Sequence, residues 1–75
     1  MTKLPVVSGE QCVQALEKLG WRVARRGRGS HIVLVKAGSI YSLSVPDHKE
    51  LAKGILRKLL RMASVGVDEF VGALR

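Results

Sequence analysis

The chain is short of cysteine, histidine and acid. It has one cysteine, two histidines and six Asp and Glu in 75 residues. A lone thiol, Cys12, cannot form an internal disulfide, so the fold does not rely on oxidation, and a cytoplasmic location fits best. Two histidines, one thiol and no ligand-spaced cluster leave no metal site to expect, and no other cofactor is predicted. No apolar run approaches the roughly 20 residues that span a bilayer, and the start carries no signal-peptide pattern, so no membrane association is expected. Internal repeats, linkers and low-complexity segments are also missing, which predicts one domain over residues 1–75.

What is present is a basic, fairly apolar chain. Apolar residues make up 47% of it, too many for simple disorder, although 75 residues is near the lower limit for an unaided core. Thirteen Lys and Arg against six acids give a formal charge of +7, a field that attracts polyanions, nucleic acid above all. The cations cluster as Arg22, Arg25, Arg26 and Arg28, and again as Lys53, Arg57, Lys58 and Arg61. Clustering favours a binding surface over charge spread for solubility.

The pattern of residues predicts α-β-β-β-α-α: an α+β fold with a three-stranded antiparallel sheet and helices on one face. Ser8-Gly-Glu-Gln11 has the form of a capping box, so a helix starts at Ser8, with Cys12, Val13, Leu16 and Leu19 on its apolar face and Gly20 as its stop. On that face Cys12 is a buried small hydrophobe rather than a nucleophile. Trp21–Arg26 reads as a strand with Trp21 and Val23 on one side and Arg22, Ala24 and Arg26 on the other. Gly27–Ser30 turns into a second strand, His31–Lys36, and Ala37–Ser39 turns into a third in which Tyr41, Leu43 and Val45 point inward until Pro46 ends it. A helix over Lys53–Ala63 should bury Ile55, Leu56, Leu59, Leu60 and Ala63, and a short one over Val67–Leu74 follows Gly66 and should bury Phe70, Val71 and Leu74.

Two tight hairpins bring the first turn and the end of the third strand to one edge of the sheet. Counting back from the second turn sets His31 opposite Ser44 or Val45, with Asp47, His48 and the helix start at Lys53 close behind. The basic glycine loop Arg25–Ser30, His31, His48 and a helix N-terminus then converge. Arginines and a positive helix end hold phosphate, glycines admit it close to the backbone, and an imidazole can move a proton near neutral pH. Against this stand plainer readings: His31 capping a strand, His48 satisfied within a turn, and Ser30 stabilising its own turn rather than meeting phosphate. Ser30 is no hydrolase nucleophile, because no Gly-x-Ser-x-Gly elbow accompanies it.

Gly29-Ser-His31 opening a strand, Val45-Pro-Asp-His48, Glu50-Leu-Ala-Lys-Gly-Ile-Leu-Arg57 and Asp68-Glu-Phe70 together resemble the HicA (YcfA-like) family of toxins from toxin–antitoxin systems. The similarity covers nearly the whole chain. It implies a fold like a double-stranded-RNA-binding domain, an mRNA interferase (RNA endonuclease) activity, catalysis by the histidine of Gly-Ser-His, here His31, and inhibition by a HicB-like antitoxin. The chain departs from the family where Gly-Thr-Leu-Arg is often found: Ile55 stands in place of the hydroxyl. At Ile32 and Val33 it is also more apolar than the family often is.

The resulting expectation is an RNA-cleaving toxin that needs no metal. His31 is the general base, and Arg26, Arg28, Gly29, Ser30, His48, Lys53 and Arg57 contact RNA. Two other classes stay open on the residues alone: a non-catalytic double-stranded-RNA-binding module, and a domain whose charge serves only an acidic protein partner.

Overall fold

Helix α1 spans Gly9–Lys18 and starts where the sequence says it should. Ser8 Oγ accepts the Gln11 backbone N–H at 3.1 Å, and Gln11 Oε1 accepts the Ser8 N–H at 2.9 Å, so two amides that the helix leaves unpaired are satisfied reciprocally. At the other end Gly20 takes φ 101°, a left-handed conformation that side chains resist and that stops the helix. This computed structural model describes residues 3–27 and 31–75.

Strands β1 (Arg22–Arg26), β2 (His31–Val35) and β3 (Leu43–Pro46) form one antiparallel sheet in the order β1-β2-β3. Helices α2 (Lys53–Ala63) and α3 (Val67–Ala73) follow, giving the expected α+β order α-β-β-β-α-α. The alternation of β2 and β3 turns Ile32, Leu34, Leu43 and Val45 to the helix side, where all four are fully buried. Val13 and Leu16 of α1, Leu56, Leu59 and Leu60 of α2, and Phe70 of α3 complete this core. Each such side chain contributes about 1.5–3 kcal/mol relative to exposure. Of the three residues expected to be buried on α3, only Phe70 is fully covered, while Val71 and Leu74 are half-buried. The opposite face of the sheet is the more open one, and α2 reaches it only beside β3, where Ile55, Lys58 and Met62 adjoin Ser44 and Pro46. Val33 and Val35 lie there half-buried, beside exposed Arg22, Arg25 and Ser44.

Four details differ from the expectation. His31 pairs with Pro46, one or two residues beyond the predicted Ser44 or Val45. The cause is a wider second turn: the Ser39 N–H bonds Lys36 O at 3.1 Å, and Ser39 Oγ accepts the Tyr41 N–H at 3.1 Å. Residues up to Tyr41 thus spend their backbone groups locally, and Tyr41 is half-exposed rather than inward-facing in the strand. Ile55 sits at the rim of α2 with 38% of its surface exposed, outside the buried stripe. Finally, β1 carries a bulge between Val23 and Arg25, which pair with Leu34 and Val33 in turn. The extra residue, Ala24, inverts the alternation beyond it, so Arg26 pairs with Ile32 and faces the helix side instead of sharing a face with Arg22.

Candidate functional site

The first hairpin closes through the Gly27 N–H, which donates to His31 O at 3.1 Å. Arg28, Gly29 and Ser30, expected to meet phosphate, lie outside the described residues. His31 opens β2 on the same face of the sheet as Val33 and Val35 and is exposed. Directly across from it, Pro46 ends β3, and Asp47 and His48 continue from that end, so both histidines belong to the same edge.

Two long-range backbone bonds fix the segment after β3. The Gly9 N–H donates to His48 O at 2.9 Å, and the Leu51 N–H donates to Val7 O at 2.8 Å. The chain before α1 and the first residue of α1 therefore hold the path from Pro46 to the start of α2. Gly9 is buried against this path, and a Cβ there would stand 2.1 Å from Pro46 O. Nothing but glycine lets the helix start approach so closely. The carbonyl of His48 is thus occupied while its imidazole is exposed. Helix α2 begins at Lys53, and its N-cap residue, Ala52, makes no side-chain hydrogen bond to the first-turn amides, which have no partner within the helix.

The cations divide into separate groups. Arg26 is turned toward α1 by the bulge and forms a two-pronged pair with Glu10, at 2.7 Å and 3.2 Å. The hydrogen bond from Arg26 holds the Glu10 carboxyl below its ordinary value, and Glu10 in turn raises the guanidinium. Arg22 and Arg25 stand on the open sheet face. On α2, Lys53, Arg57 and Arg61 recur every four residues along one exposed flank, while Lys58 lies on another flank with Ile55 and Met62. That second flank, not the first, forms a groove of about 350 Å³ with His31. Lys58 is therefore the α2 cation that shares a cleft with His31, a correction to the sequence reading, which sets it beside Lys53, Arg57 and Arg61 on the side opposite the apolar stripe. Its signal was present in the period of the helix: Lys58 falls out of step with Lys53, Arg57 and Arg61.

No group of three or more His, Cys, Asp or Glu among the described residues is placed to hold a metal ion. Cys12 is buried in the core, and that burial pushes its thiol up to about 12, far from nucleophilic use at neutral pH. No helix among the described residues is long and apolar enough to cross a membrane. Residues 9–65 match the family model described as the HicA toxin of bacterial toxin–antitoxin systems. No curated protein and no solved structure matches the chain.

Proposed function

This chain belongs to the HicA toxin family of bacterial toxin–antitoxin systems, and on that premise we propose that it is an RNA endonuclease with His31 as the proton-transfer residue. The observation that carries the reading is the position of His31. It is an exposed imidazole at the sheet edge, between the basic first hairpin and a groove that also contains Lys58. The imidazole takes the proton from a ribose 2′-hydroxyl, the 2′-oxygen attacks the adjacent phosphorus, and the bond from phosphorus to the 5′-oxygen breaks. The leaving 5′-oxygen receives a proton from the imidazolium, and a cyclic phosphate remains. Charge developing on the phosphate is met by Lys58 and by Arg28. Lys53, Arg57 and His48, with Gly29 and Ser30, bind the flanking backbone. The chemistry calls for no metal ion and no cofactor, and its setting is the cytoplasm.

As a toxin of such a pair, the chain has an antitoxin partner. We take this to be a HicB-like protein whose acidic surface covers the His31 edge. Val33 and Val35, half-buried and flanked by Arg22 and Arg25, offer it an apolar strip within a basic frame. Pure protein incubated with labelled single-stranded RNA in chelator tests the activity. Cleavage that falls about 10²–10⁴-fold in a folded His31→Ala variant is expected. A gel shift without cleavage favours the non-catalytic RNA-binding module instead, and undiminished cleavage by His31→Ala removes His31 from the mechanism.

A further inference from the structure

The groove beside His31 has a composition that the phosphate chemistry does not use. One wall comes from α2, where Ile55, Leu59 and Met62 present apolar surface, and Pro46 extends it from the strand. Facing it are Ser42 and Ser44, set two residues apart so that both hydroxyls fall on the same side of the chain. Neither hydroxyl is hydrogen-bonded within the described residues. At about 350 Å³ the groove is at the small end of the range for organic ligands, room for one planar ring system and little more.

We propose that this groove is a nucleobase subsite: it holds one unstacked base of the RNA and selects which base lies next to the cut. The inference rests on the RNA-cleavage reading for its substrate class. Sequence-specific contacts to RNA are made mainly to splayed-out bases, which stack on side chains while hydrogen bonds read their edges. Here the apolar wall takes the face of the base, and the soft thioether of Met62 suits contact with an aromatic ring. Ser42 and Ser44 each donate and accept, as a base edge requires. His31 and Lys58 line the same groove, so a base seated in it brings its own phosphate to the imidazole and the ammonium. An acidic loop of a protein partner fits less well, because the groove itself offers it one lysine and an apolar wall.

The test uses the intact protein and two readouts. In methyl and ring NMR, the four nucleoside 3′-monophosphates are titrated in turn, with inorganic phosphate as a control. The subsite predicts saturable upfield shifts of the Ile55 and Met62 methyls that phosphate alone does not cause, with one base preferred about fivefold or more. In cut-site mapping, Ser42→Ala and Ser44→Ala should each reduce the base preference next to the cut by about fivefold or more, since a good base-edge contact contributes on that scale. Methyl shifts with nucleotides in a protein that does not cleave RNA uphold the subsite while the cleavage reading fails. Cleavage with unchanged base preference in both serine variants, and methyls that move with none of the four nucleotides, overturns the subsite while the cleavage reading stands. Methyl shifts produced by an acidic peptide but by no nucleotide overturn it in favour of a protein-docking groove.

Discussion

Replacing Gly9 by alanine tests how the fold supports the site. The added Cβ would lie 2.1 Å from Pro46 O, 2.9 Å from Asp47 Cα and 3.1 Å from Pro46 C, all of them backbone atoms. Flexible side chains can swing aside, but here the whole helix start must move about 1 Å or more from the strand exit to restore ordinary contact. That shift also stretches the 2.9 Å hydrogen bond from the Gly9 N–H to His48 O. Overpacking of this kind costs about 1–3 kcal/mol, and a lost buried hydrogen bond about 1 kcal/mol more. Alanine's better helix propensity recovers less than about 1 kcal/mol at a first helical position. The net loss is about 1–4 kcal/mol, and in a domain of this size each kcal/mol moves Tm by about 4–8 °C. The midpoint of thermal unfolding followed by circular dichroism should therefore fall by about 5–30 °C. Gly72→Ala is the control: it lies in α3 with nothing within 4 Å of the new carbon, so its Tm should hold or rise by a few degrees. If Gly9→Ala melts within about 3 °C of the parent, the close approach is not what holds the edge together.

Removing cations should show in the salt dependence of RNA binding. Alanine at Arg28, Lys53 or Arg57 should each lower the slope of log affinity against log salt by roughly 0.7, and an unchanged slope in the triple variant would place the RNA elsewhere. Cys12 should react with a disulfide probe at pH 8 about a thousandfold more slowly in the folded protein than in denaturant, because burial raises its thiol to about 12. The sign follows from the raised value. The neutral thiol's contribution to stability is complete below the unfolded value of about 8.5 and is lost as pH rises toward 12, so denaturant midpoints should decline across that alkaline window in the parent and less in Cys12→Ala.

Much of the fold was legible because its signals are local. The Ser8–Gln11 box, the Gly20 stop and the limits of α2 at Lys53 and Ala63 each depend on neighbouring residues, and each appears where the sequence placed it. The bulge at Ala24 was not legible, since Val23-Ala-Arg-Arg26 carries no alternation strong enough to reveal an unpaired residue. Its consequence, Arg26 locked to Glu10, was hidden with it. At the site, the convergence of His31 with the exit of β3 follows from the meander and could be counted from the turns, with an error set by the wider second turn. The groove was beyond reach for another reason. Ser42, Ser44, Ile55 and Lys58 come together only through the angle at which α2 crosses the edge of the sheet, and no sequence period encodes that angle.

The two backbone bonds that clip the start of the chain to the path after β3 also bear on the order of assembly. The hairpins join residues near one another in sequence, whereas Gly9 with His48 and Leu51 with Val7 join residues roughly forty apart. Loop-closure entropy makes the distant pairs the slower ones to form. Refolding should thus protect the Leu34 and Val45 amides from exchange before those of Gly9 and Leu51, and simultaneous protection in a pulse-labelling experiment would contradict this order. A chain on its way to the native state would then already display its basic hairpin while His48 and the first turn of α2 still lacked a fixed place beside His31. Competence arrives with the final closure, and whatever captures the earlier species meets the charge of the toxin before it meets the finished edge.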